Sequence, residues 1–170
     1  MSEILEAHGR FTRGEEGGVR ADLSGADLSR ANLHGARLAY ANLAGAKLEG
    51  ADLGEVSLTF ADLSGAKMRE ADLRKSDLTE AKLPGSDLSG AQVAGAELFR
   101  ADFTGASFRG ANLTASNFRN AIVRGVDFHG ADLTTTILSE TDLEGVDLSG
   151  LDLSTTLLPR NWKAPAEAKK

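Results

Sequence analysis

ADLSG ADLSR ANLHG ARLAY, residues 21–40, is one pattern written four times. Each block of five holds a small residue, a polar residue, a large apolar residue and two variable ones. The same frame continues to Arg160 without an insertion or deletion, giving twenty-eight blocks. Internal repetition on this scale decides the architecture before any local propensity does. The third residue of each block, here the centre, is Leu in twenty-one blocks, Phe in four, Val in two and Met in one. Two residues earlier stands Ala in eighteen blocks, Ser, Thr or Val in nine, and the single large residue Leu151. On extended chain, residues two apart point to the same side, so centre and small residue both face inward. The remaining three positions carry Asp, Asn, Arg, Ser, Thr and Gly, the chemistry of a solvated surface with turns.

A helix cannot use this spacing. Five residues overshoot a full turn by about 140°, which scatters the apolar positions around the cylinder. A coil with corners can, and a second period gives the number of sides. The last residue of every fourth block is Gly25, Gly45, Gly65, Gly85, Gly105, Gly125 and Gly145, while the column of Tyr40, Phe60, Glu80, Arg100, Asn120, Glu140 and Arg160 has no glycine. Segregation at twenty residues means four sides per coil and seven coils, about 34 Å of rod at 4.8 Å per coil. The reading is an all-β, right-handed quadrilateral β-helix, a solenoid with a short N-terminal helical cap. The all-glycine column predicts a turn with positive φ at that corner and different turns elsewhere. Phe103, Phe108, Phe118 and Phe128 fall in neighbouring coils, with Phe108 and Phe128 in one column, and predict a locally reshaped C-terminal half.

The blocks resemble the pentapeptide-repeat family, whose loose consensus is Ala, then Asp or Asn, then Leu, then two variable residues. The match covers residues 21–160. It implies the right-handed four-sided β-helix. Some relatives bind bacterial DNA gyrase and protect it from quinolones by presenting an acidic rod the width of DNA, and those typically dimerise through a C-terminal helix. Several carry loops that interrupt the repeat, whereas this array has none.

The ends divide the chain into a cap and linker (1–20), the array (21–160) and a plug with a disordered tail (161–170). Ser2 is placed to cap a helix carrying Ile4, Leu5, His8 and Phe11 on one side, before the run Gly14-Glu15-Glu16-Gly17-Gly18. Trp162 is placed to cover the last coil, since an open solenoid exposes its core at both ends.

Composition limits the chemistry. The chain has no cysteine and a net charge of −6, of which residues 21–158 carry −8. An acidic body disfavours direct nucleic-acid binding. No long apolar run is present for a membrane span, and the start MSEILEAHGR has no apolar leader, so a cytoplasmic location is expected. His8, His34 and His129 are too scattered for a metal set and read as surface histidines, and no nucleophile elbow or phosphate loop occurs. No catalytic residue, cofactor or metal is expected, and the function is read as binding.

Two surfaces stand out. Outward apolar residues break the pattern on the fourth side at Tyr40, Phe60, Phe99, Ile137 and Leu157, and with Trp162 they form the candidate partner surface. The candidate acidic ladder is Asp52, Asp72, Asp132 and Asp152, interleaved with Asn32, Gln92 and Asn112. It reads first as turn-flanking residues bonded to nearby backbone and second as phosphate mimicry. The leading expectation is a protein-interaction rod with an unidentified protein partner, possessing a homodimer contact at its C-terminal end. The alternative is a DNA mimic directed at gyrase.

Overall fold

The computed structural model describes residues 2–163. The array winds as a right-handed quadrilateral β-helix of seven coils, each side one block long. Parallel pairings run unbroken from Asp22 with Asn42 to Asn117 with Ile137, always twenty residues apart. Three backbone bonds join each side to its neighbours, illustrated at mid-array. Leu73 N–H donates to the Gln92 carbonyl at 2.6 Å, Lys75 N–H to the Ala94 carbonyl at 3.0 Å, and Gln92 N–H to the Ala71 carbonyl at 2.9 Å. Each corner then closes with a turn bond, such as Ser76 N–H to the Leu73 carbonyl at 3.1 Å. The backbone's polar groups are thereby satisfied coil to coil, which leaves the side chains to settle inside and outside.

Inside are the centres and the small residues, from Leu23 to Leu148 almost entirely buried. Serine is tolerated at the small position because its hydroxyl returns to the local carbonyl, as Ser76 does to Leu73 at 2.6 Å and Ser116 to Leu113 at 2.6 Å. The four phenylalanines pack as one cluster, with Phe108 and Phe128 stacked at 5.7 Å and Phe103 edge-on to Phe108 at 5.1 Å.

The corners differ from the sequence reading. Positive φ is not confined to the glycine column: Arg30, Tyr40, Glu55, Lys75 and Asn120 adopt it at 55–67°, beside Gly25 and Gly85 at 64° and 65°. One turn geometry serves all four sides from residue 25 to residue 150. The reason is that the corner N–H is held by the next coil and the turn bond closes behind it, so the ladder imposes the conformation on whatever residue stands there. A non-glycine residue in this region costs about 1 kcal/mol.

The last coil, residues 141–160, departs from the rest. Among the described residues its first three sides make none of the three backbone ladder bonds to the coil before, and only the fourth side keeps two of them, Leu138 N–H to Leu157 O at 2.8 Å and Leu157 N–H to Thr136 O at 2.9 Å. The centres Leu143 and Leu148 are still apolar, but the small position has changed. From residue 136 onward it holds Thr136, Thr141, Val146, Leu151 and Thr156, and no alanine. Branching alone does not open the coils, because the blocks of Val56, Thr136 and Thr156 keep ladder bonds; Leu151 is the one large side chain at this position and has no counterpart in the bonded coils. The threonine hydroxyls bridge part of the gap, reaching back to carbonyls of the previous coil from Thr136 to Leu113, Thr141 to Phe118 and Thr156 to Leu133 at 2.6–2.9 Å.

At the other end, α1 spans Ser2–Thr12. The side chain of Ser2 and residues 164–170 lie outside the described residues. Leu5 packs against the core, while Ile4 and Phe11 stay exposed at 39% and 37%, so the four apolar positions do not act as one face. His8 is the correction here: it is fully buried, not on the surface. Its Nδ1 accepts the N–H of Ala21 at 3.0 Å, the turn bond that a preceding coil would otherwise have accepted, and its ring stacks on Phe11 at 5.7 Å. Burial pushes its pKa below the ordinary value of 6.5. The linker passes so close to α1 that a Cβ on Gly18 would fall 2.4 Å from the Phe11 nitrogen.

Candidate interaction surfaces

The outward residues of the fourth side occupy three different rows, because a side offers the residue before the centre, the one after it and the corner. Tyr40 and Phe60 sit on the corner, 47% and 44% exposed. Their rings are stacked 5.0 Å apart and 5° from parallel, at the pitch of the coils themselves. Positive φ of 67° and 59° swings both side chains off the edge of the rod. Phe99 lies one row in, half-buried, with the Arg100 guanidinium 4.9 Å over its ring. Ile137 and Leu157 occupy the row before the centre and pair across the last two coils, Leu157 being 55% exposed. Glu80 and Arg100, 3.8 Å apart, separate the aromatic pair from the aliphatic pair. The geometry therefore gives two patches on one side rather than a continuous stripe.

Trp162 belongs to neither patch. It is half-buried against the end of the core, and its N–H donates to the Pro159 carbonyl at 3.0 Å. With Leu143, Val146 and Pro159 it borders a cavity of about 860 Å³ at the last coil, ringed by Asp142, Glu144 and Asp147. Sequence reading also passed over Ile122, 45% exposed on the first side. The signal was present, since Ile122 breaks the row of polar residues before the centres as Ile137 does.

The acidic ladder is built by local backbone chemistry. Every Asp or Asn standing before a centre accepts the N–H two residues on, as Asp52 does from Gly54 at 3.0 Å and Asp132 from Thr134 at 2.9 Å. This bond fixes one carboxylate oxygen against the turn and leaves the other facing water. Hydrogen bonds hold the pKa values of several of these carboxyls below the usual range: from Arg74 at Asp72, from Thr134 at Asp132 and from the Ser154 amide and hydroxyl at Asp152. The ladder is also divided electrically. His34 Nδ1 lies 3.2 Å from Asp52, in space that a side chain on residue 54 would fill, and Arg74 pairs with Asp72. Asp132 and Asp152 have no arginine or lysine partner among the described ion pairs. His129 sits on the second side, its N–H bonded to Asp127, far from His34.

A four-sided solenoid of five-residue blocks that repeat the small and large inward pair, most of them with the same turn cap, defines a class of protein by itself. Pentapeptide repeats match over residues 19–54, 55–92, 96–134 and 124–158, in 8 copies, and the chain belongs to the pentapeptide-repeat family. Among solved structures, it is similar to QnrB1, described as a plasmid-mediated fluoroquinolone resistance protein, with 18% identity, 83% of this chain and 85% of that chain covered, and a TM-score of 0.57. At that identity the likeness shows the fold alone. A pentapeptide repeat protein of the cyanobacterium Cyanothece 51142, Rfr23, is 27% identical over 66% of this chain and 84% of its own, with a TM-score of 0.44. HetL, a protein involved in heterocyst differentiation regulation in the cyanobacterium Nostoc, is 25% identical over 94% of this chain and 92% of its own, with a TM-score of 0.40. No curated protein matches the chain. Among the described residues no helix is long and apolar enough to cross a membrane.

Proposed function

We propose that the protein is a non-enzymatic interaction rod that binds a protein partner through its fourth side. The observation that supports this reading is the Tyr40–Phe60 stack. Two aromatic rings stand exposed at a corner where glycine would be less strained, in a column where no block uses glycine. Other non-glycine corners share this φ, so it is the exposed stacked rings that set the pair apart. Aromatic anchors are also the residues on which interface energies concentrate. Ile137 and Leu157 supply a second apolar area towards the last coil. Capture of partners from source lysate with wild-type protein, Tyr40→Ser/Phe60→Ser and Ile137→Thr/Leu157→Thr tests the reading. Loss of a partner with either double variant, at unchanged melting temperature, supports it, and full retention with both overturns it.

A second reading is a gyrase-directed DNA mimic, favoured by the unneutralised carboxylates Asp132 and Asp152 on the third side. A gyrase supercoiling assay with and without quinolone tests it, and no inhibition and no protection at micromolar protein removes it.

A further inference from the structure

We propose that the corner bearing Tyr40 and Phe60 pairs two copies of this chain side by side and antiparallel, about a two-fold axis passing between those two rungs. The proposal rests on the fourth-side reading and names the occupant of its N-terminal patch.

The corner is a ladder with one side chain per coil. Arg20, in the linker just before the array, reaches the Tyr40 carbonyl with its Nε, and Glu80 stands one rung after Phe60. The order Arg20, Tyr40, Phe60, Glu80 is self-complementary when reversed. A two-fold axis between Tyr40 and Phe60 sets each Arg20 against the other copy's Glu80 and each Tyr40 against the other copy's Phe60. An isologous contact requires this kind of pattern, in which residue i meets j and j meets i.

The neighbouring row on the first side obeys the same axis independently. Its residues Asp22, Asn42, Asp62 and Lys82 place Asp22 opposite Lys82 and Asn42 opposite Asp62. On the other flank, exposed Val19 faces Thr79, and Ala39 faces Thr59, small residues that let the edges approach. The adjacent registers fail: moving the partner one rung one way sets Asp22 against Asp62, and one rung the other way sets Arg20 against Arg100. A parallel two-fold arrangement opposes each corner charge to itself. Like charges directly opposed are destabilising, so the charge pattern disfavours the parallel pairing and the neighbouring registers.

The pitch selects the partner. The two rings repeat at 5.0 Å. An extended peptide lying along the rod would present side chains on one face roughly every 6.6 Å and lose register within two residues, whereas a second rod of the same coil repeat stays in step. The overlap covers only four rungs, so the contact belongs to the small, transient class of interface.

Sedimentation velocity over a concentration series up to roughly 100 µM, the range where such small interfaces dissociate, tests the proposal. Wild type is expected to show a reversible monomer–dimer equilibrium. Arg20→Glu and Glu80→Arg should each weaken the dimer by at least about tenfold, by opposing like charges, and the double variant should restore it. Melting temperatures of the three variants report whether the monomer is intact. Tyr40→Ser/Phe60→Ser should abolish the dimer and Ile137→Thr/Leu157→Thr should leave it unchanged. A monomeric wild type, or single charge variants that dimerise as wild type does, overturns the proposal. So does a dimer lost only with the Ile137/Leu157 variant. If the wild type is monomeric but Tyr40→Ser/Phe60→Ser loses a lysate partner, the second copy is ruled out while the fourth-side reading stands. If the dimer forms and neither double variant changes it or partner capture, both fail together.

Discussion

The middle coils and the last coil have equally apolar centres and opposite ladders. Leu73 and Leu148 are both buried, yet the side at Leu73 makes every bond to its neighbours and the side at Leu148 makes none of the backbone ladder bonds to the coil before it. On the side of Leu73 one difference lies two residues upstream, where Ala71 gives way in the last coil to Leu151, a size found at this position in none of the bonded coils. Hydrophobic burial at the centre therefore keeps a coil attached even where the ladder bonds are missing.

The comparison is broken most severely by a charge in the core. Leu73→Asp is expected to abolish folding, because an unpaired buried carboxylate costs several kcal/mol, comparable with the stability of a whole domain. Leu153→Asp, at a half-exposed centre of the last coil, is expected to leave a folded protein with a lowered melting temperature. Soluble expression and circular dichroism melts of both variants check the contrast.

Exchanging the small position sharpens it. Ala71→Leu should cost roughly 1–3 kcal/mol by overpacking and open the amides of Asp72 and Leu73 to hydrogen exchange, reproducing the last coil in the middle of the rod. Leu151→Ala should slow exchange in residues 152–155. Next in size come the corners. Gly35→Val and Gly85→Val are expected to lose equal stability, about 1–2 kcal/mol each, because both glycines hold the same positive φ in open space. Unequal melting temperatures would show that the sides differ after all.

The smallest effects come from protons. His8 is held neutral in the fold, its pKa lowered by burial, so its contribution is complete above pH 6.5 and is lost as pH falls through its depressed value. Asp22, Asp62 and Asp132 have pKa values lowered first by the hydroxyls of Ser24, Ser64 and Thr134, so theirs is complete above the ordinary carboxylate range, near pH 4, and lost below it. A melting-temperature profile from neutral pH to pH 2.5 should show two separate declines, and His8→Gln should remove only the one at higher pH.

The coil and its core were legible because a five-residue period admits few other solutions, and its right hand came from the family resemblance. The corners were misread for a physical reason. Glycine enrichment reports where positive φ is cheapest, whereas the ladder decides where it occurs, and Arg30 and Glu55 obey the ladder. The loosened last coil was visible only in Leu151, a residue that looks conservative in isolation. His8 was unreadable as a buried group because its partner, the Ala21 amide, is a backbone atom with no sequence signature. The aromatic pair was legible as exposed, but its ring stacking and the charges framing it required the twenty-residue register to be laid out in space.

Pairing at a fixed interval of twenty residues also restricts how such a chain can change length. Duplication or loss of one full coil would move everything downstream along the axis by one pitch and keep each residue on its own face. Gain or loss of a single block would leave the core pattern untouched and rotate the remainder by a quarter turn, carrying Ile137 and Leu157 round from the face of Tyr40 and Phe60 to an adjacent one. The array thus resembles an indexed shaft, in which spacing along the rod and direction around it can be reset separately by the number of blocks inserted.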